Sequence, residues 1–168
     1  SGAPVWLNHL VNLLLHLIFV VISFGWFRRR LALGPAWIAA SFLAVHASHV
    51  ATAGWVAGRA DLLMAVCAVL ALRSHDAQRP WRCALWVLCA ILFKETGIVT
   101  VAMLVLVARF DGAAESLRRV IPAVMVGGAA FAFAVSRSAV APAYLPLPGN
   151  LIAAIPWVPF YVLEMVVP

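Results

Sequence analysis

The sequence predicts an all-α, polytopic membrane bundle, and three observations predict it. Of the 168 residues 65% are hydrophobic and only 11% are charged, against roughly 25% charged in a soluble domain. The apolar residues recur as runs along the whole length, each closed by arginines or by a Gly or Pro break, so the composition is not that of a signal peptide on a globular body. The seven tryptophans, at positions 6, 26, 37, 55, 81, 86 and 157, mostly fall near the ends of those runs, as an aromatic belt requires.

Seven membrane segments follow from the runs. The first covers about 6–27 and stops at Arg28, Arg29 and Arg30. The second covers 31–45, starting near Gly34 and Pro35, and the third 53–72. A polar loop is expected from Arg73 to Arg82, then a fourth segment at 83–93. Lys94, Glu95, Thr96 and Gly97 separate it from a fifth at 98–108. A second polar loop runs from Arg109 to Arg119, a sixth segment covers 120–135, and a Pro-rich loop from Pro142 to Gly149 precedes a seventh at 151–168. A full crossing needs about 20 apolar residues, so the fourth and fifth segments are too short to cross alone. Residues 83–108 form either one helix with Lys94 and Glu95 near its middle, or two short helices meeting at a polar, protein-lined break.

Charge counting favours two helices. If Arg28–Arg30 are cytoplasmic and each segment reverses direction, nine of the twelve Lys and Arg lie on that side, in keeping with the positive-inside bias. The net charge of +6 then reflects topology, and no aromatic-basic ribbon calls for a nucleic-acid partner. The three exceptions, Arg59, Lys94 and Arg137, gather on the opposite face with His46, His49, Asp61 and Glu95.

That face carries the candidate chemistry. His46 and His49, three residues apart, share one side of a helical turn and serve as hydrogen-bond donors to an anion or as capping and packing groups; a third metal ligand at a supporting spacing is missing. Arg59 can fork around a phosphate or pair with Asp61 or Glu95. Asp61 suits a helix first turn. Lys94 beside Glu95 in an apolar stretch must be solvated, paired or bound to a ligand, and Gly97 permits a tight turn. Arg137 either snorkels alone or completes a cationic site. Asn8, Asn12 and His16 recur every fourth residue, a polar stripe expected to bond to neighbouring helices. Cys67, Cys83 and Cys89 read as small apolar residues, their spacing matching neither a zinc site nor a disulfide framework. Glu164 in the last run has no assigned role.

The stretch from His46 and His49 through Gly58, Arg59, Ala60, Asp61, Leu62 and Leu63 resembles a pattern of two histidines followed by G-R-A-[DE]-L-L. Lys94, Glu95, Thr96, Gly97 and Ile98 are similar to K-E-Q-G-I, Asn12 and His16 to an early N-x-x-x-H, and Arg137 to an arginine after the next helix. Together they resemble the transmembrane and tetratricopeptide-repeat O-mannosyltransferase-like proteins and their bacterial relatives, within the GT-C glycosyltransferases. The resemblance spans about residues 8–168. It implies transfer of a sugar from a polyprenyl-phosphate-linked donor to an acceptor hydroxyl, on protein or glycan, at the lumenal or periplasmic face of a bacterial inner membrane. It assigns the lipid phosphate to Lys94 and Arg137, with Arg59, His49 and His46 in support and Glu95 and Asp61 orienting them. It leaves divalent-metal dependence open.

Ala47 and Ala51 replace the family's Pro and Glu, so no role of that Glu carries over. No acidic residue precedes Asp61, whereas the resemblance implies a catalytic Asp or Glu in a loop after the first span. The expectation is therefore a fragment, residues 1–168 being transmembrane domain, with the catalytic loop upstream and any repeats downstream. The alternative function is a carrier or flippase for an anionic or lipid-linked substrate, and a third possibility is a structural subunit with satisfied ion pairs.

Overall fold

The computed structural model describes residues 5–46, 54, 58–112 and 114–138. The expected seventh segment, the Pro-rich loop, Glu164 and His49 lie outside the described residues. Among the described residues six longer α-helices follow one another: α1 Val5–Arg30, α2 Leu33–Val45, α3 Arg59–Asp76, α4 Pro80–Phe93, α5 Val99–Phe110 and α6 Ala114–Ser138, with a 3₁₀ turn at Glu95–Ile98 between α4 and α5. No strand occurs among the described residues.

The number of spans differs from the expectation of seven. Among the described residues two helices, Trp6–Arg30 and Ala114–Phe133, are long and apolar enough to cross a membrane. The helices α2, α4 and α5 have 13, 14 and 12 residues, or about 18–21 Å at 1.5 Å per residue, against a hydrocarbon core of about 30 Å. Among the described residues the apolar runs therefore fall on helices, but seven crossings are not supported. The two expected polar loops also shrink. Helix α3 continues through Arg73 and His75 to Asp76, because arginine is a good helix former and cations suit a helix C-terminus. Only 77–79 separate it from α4, and α6 begins at Ala114.

The short turns have local causes. Gln78 takes a left-handed φ of 57°, its N–H donates to the His75 carbonyl and that of Arg79 to the Ser74 carbonyl, each at 2.9 Å. This is the Schellman closure of a helix. Pro80 then occupies the first position of α4, where a missing N–H costs nothing. Gly112, at φ 72°, ends α5 in the same left-handed conformation.

Helix α1 is inside-out relative to a soluble helix. Asn12, His16 and Ser23 are buried, while Leu10, Leu13, Leu14, Leu17, Ile18 and Val21 are exposed. Water would favour the reverse; hydrocarbon favours this arrangement. Helix α2 runs antiparallel to it, since Phe24 stacks on Trp37 with centroids 4.5 Å apart and His16 Nε2 lies 3.1 Å from the Ala44 carbonyl. The core proper joins α3, α4, α5 and α6 through Ala71, Leu72, Cys83, Ala84, Val87, Leu104, Ala108, Val120 and Ala123. Most of these are small, which lets helix backbones approach closely. Cys67 and Cys83 are buried free thiols and Cys89 is half-buried, packing as small residues do.

Residues 83–108 form two antiparallel helices. Lys94, which caps α4, pairs with Asp61 in the first turn of α3. At the other end Arg30 pairs with both Asp76, closing α3, and Asp111, following α5. The chain therefore reverses at Lys94–Ile98, and Gly97 makes the reversal possible. A Cβ there would lie 2.5 Å from the backbone carbon and oxygen of Ala90, closer than real contacts allow.

This contact generates a prediction. Gly97→Ala must push the turn off α4 and lower stability by about 1–3 kcal/mol, read as a lower thermal midpoint in detergent. Gly128→Ala, whose Cβ would meet nothing within 4 Å, should leave the midpoint unchanged or raise it, alanine being the better helix former by about 1 kcal/mol.

Candidate functional site

The antiparallel arrangement divides the polar residues between two ends. The end formed by the starts of α1 and α3 and the close of α4 holds the residues singled out from sequence. Arg59, the first residue of α3, donates from Nε to Asn12 Oδ1 at 3.3 Å and from Nη2 to Asn8 Oδ1 at 3.1 Å. The polar stripe of α1 thus orients a guanidinium, and its lower member, His16, contacts the last turn of α2. His46 caps α2 and is buried, its ring 4.8 Å from that of Phe42.

Lys94 and Asp61 form a half-buried ion pair, with side chains 35% and 29% exposed. The partner of Lys94 is therefore Asp61, thirty-three positions away, and not its neighbour Glu95, which is exposed. Likewise Arg59 bonds to asparagines rather than to Asp61 or Glu95. Arg59 and Lys94 are balanced by Asp61 and Glu95, so the described part of this end is formally neutral instead of cationic. Arg137 lies in the last turn of α6, beyond Gly127, whose Cβ would contact Val101 and Ile98 beside the Lys94 turn. Ten further residues carry its backbone about 15 Å along the helix axis, away from the Ser116 end; its side chain lies outside the described part, as does His49.

Chemically, this end offers a guanidinium on a neutral amide cradle and an ammonium anchored by one carboxylate. Both retain donors for an anionic ligand. No group of three His, Cys, Asp or Glu among the described residues is placed to hold a metal ion.

The opposite end holds a cluster that sequence reading missed. Arg30 donates from Nε to Asp76 Oδ2 at 3.1 Å and from Nη1 to Asp111 Oδ1 at 3.0 Å, with Nη2 bonded to both carboxylates. Trp26 Nε1 donates to Asp76 Oδ2 at 2.9 Å, and its ring lies 5.6 Å from the Arg30 guanidinium carbon, within cation–π range. His75 is buried, with Nε2 3.1 Å from Ser116 Oγ and 3.5 Å from Asp111 Oδ2. Ser116 Oγ donates to Asp111 Oδ2 at 3.3 Å. Both contacts reach the same imidazole nitrogen, so the group is not a nucleophilic triad, in which the carboxylate holds the far nitrogen. The available signal was that Asp76 and Asp111 are two of only six acids and stand among arginines at helix ends.

No family model matches the chain, and no solved structure matches it. A curated protein that is similar is the Protein O-mannosyl-transferase Tmtc1 of Drosophila melanogaster, 35% identical over 103 residues. The aligned region is 56% of this chain and 12% of that protein, so the chain spans about an eighth of the relative's length.

The Arg30 cluster yields a pH prediction. The hydrogen bond from Arg30 holds the Asp111 carboxyl below its ordinary value of 3.8, assisted by Ser116 and His75 and opposed by burial. A lowered folded value means the contribution is complete above the ordinary value and disappears as pH falls through the folded one. Between pH 5 and pH 2.5 the thermal midpoint should fall, and Asp111→Asn should have a lower midpoint at pH 5 with a shallower acid slope. An unchanged slope in the variant would remove Asp111 from the acid response.

Proposed function

We propose that the chain is part of a membrane glycosyltransferase that takes its sugar from a polyprenyl-phosphate-linked donor. The observation that carries this reading is the similarity to an O-mannosyltransferase. It is supported by the meeting of Arg59, Asp61 and Lys94 at one end of the bundle. Glycosyl transfer from a lipid phosphate leaves negative charge on the departing oxygen, and fixed cations there lower the barrier. Lys94 and Arg59 serve this role, with His46, His49 and Arg137 assigned to the same phosphate as further contacts. Asp61 positions the ammonium and keeps it from extending into solvent. Glu95 stays exposed and outside the pair.

The acceptor hydroxyl, on a protein or a glycan, needs a general base. On this reading the base comes from a loop upstream of these residues, and residues 1–168 supply the donor-phosphate side of the site. The active face is the one opposite the nine-arginine end, periplasmic in a bacterial inner membrane by the positive-inside bias.

The test is transfer by the full-length protein in nanodiscs, using polyprenyl-phosphate mannose and a hydroxyl acceptor. Lys94→Ala should reduce transfer per folded molecule roughly 100-fold, the scale of one lost oxyanion partner, with the folded fraction read from its melting curve. Lys94→Arg should recover part of the loss. Normal transfer by a folded Lys94→Ala protein would sink the assignment. Movement of the lipid-linked sugar across the bilayer without transfer would instead identify a carrier.

A further inference from the structure

The Arg30 cluster borders a cavity of about 600 Å³, walled in part by Arg29, Arg119, His75 and the Arg30–Asp76–Asp111 network. We infer that this cavity is a binding site for the phosphate headgroup of an anionic membrane lipid. The inference does not depend on the glycosyltransferase reading, because it concerns the opposite end of the bundle.

Charge comes first. The lining contains three arginines and two aspartates, a surplus of one positive charge. Arg30 is committed to both aspartates, so the network is a rigid, internally bonded wall. The cationic capacity left over belongs to Arg29, which is exposed, and to Arg119, whose contact is Glu115 at 3.7 Å, a residue 60% exposed. Exposed pairs of that kind are weak, and a phosphate can displace the carboxylate.

The second observation is a buried polar atom. His75 is 3% exposed and lines the cavity, yet its Nδ1 has no hydrogen-bond partner. Buried polar atoms without partners are rare in folded proteins, and here the residue that carries one also lines a cavity large enough for a headgroup.

Position selects the source of the phosphate. The apolar helix Trp6–Arg30 ends at this cavity and Ala114–Phe133 begins beside it. The ends of spanning helices mark the level of lipid headgroups. Nine of the twelve Lys and Arg also fall at this end, and basic pockets between helices at such a surface bind anionic headgroups.

The experiment is native mass spectrometry of the full-length protein, released from detergent with added phosphatidylglycerol or phosphatidylcholine of identical acyl chains. Phosphatidylglycerol should be retained preferentially, and Arg29→Ala with Arg119→Ala should reduce its retention roughly tenfold, to the phosphatidylcholine level. Arg28→Ala with Arg118→Ala removes equal charge from residues that do not line the cavity, and should leave retention within about twofold. Both arginine pairs project from helix surfaces, so a matched melting curve is expected and is recorded for each variant. Equal retention of the two lipids overturns the proposal. So does an equal loss in the two double variants, which would mean diffuse surface attraction. Displacement of phosphatidylglycerol by 10 mM inorganic phosphate, chosen as roughly the upper physiological scale of a free anion competing with surface charge, would overturn the lipid as source.

Discussion

A bundle surrounded by hydrocarbon offers little water to polar side chains that face inward, so a partner inside is favoured. That constraint organises the molecule. Asn8 and Asn12 face inward on α1 and receive Arg59; His16 reaches the end of α2; Asp61 meets Lys94; and Arg30 gathers Asp76 and Asp111. The leucines of α1, which would form the core of a soluble helix, are turned outward. The fold's inter-helix register is therefore written largely in polar contacts. The apolar contacts among Ala71, Ala84, Ala108 and Ala123 set how close the helices come.

The two polar ends are built differently. At the Arg30 end one guanidinium bonds to two carboxylates, and a tryptophan N–H completes one of them. Fork geometry of this kind resists exchange of partners, and replacing the arginine by lysine would not reproduce it. At the Lys94 end the cation is a flexible ammonium with a single carboxylate, and the guanidinium rests on neutral amides that leave its charge uncompensated locally. The first arrangement suits a structural clasp. The second keeps donors available and suits contact with an anion. The short helices α4 and α5 matter here, because their reversal at Gly97 delivers Lys94 to the start of α3.

Cation, turn and carboxylate form one unit at that reversal. Gly97 lies against the Ala90 backbone, the Gly97 N–H donates to the Lys94 carbonyl at 2.8 Å, and the Lys94 N–H donates to Ala90 at 3.1 Å. Lys94 thereby takes an extended conformation, φ −158° and ψ 136°, which directs its side chain away from the continuing helix and toward Asp61. The proposed phosphate contact and the fold share this turn, so a change in either affects the other.

Much of the architecture was legible in the linear pattern. Apolar runs closed by arginines located the helices, arginine placement predicted the reversal at Lys94–Gly97, and the four-residue recurrence of Asn8, Asn12 and His16 marked the buried face of α1. These features are local or additive along the chain: periodicity, helix termini and a sum of charges. Crossing number was not legible, because an apolar run shows that a helix is buried or lipid-facing without showing whether it traverses. Pairing was not legible either. Lys94 stands beside Glu95 in sequence, yet bonds to Asp61, and Asp76 and Asp111 look like loop residues until Arg30 brings them together. Such choices depend on which helix ends meet, and only the packed backbone decides that.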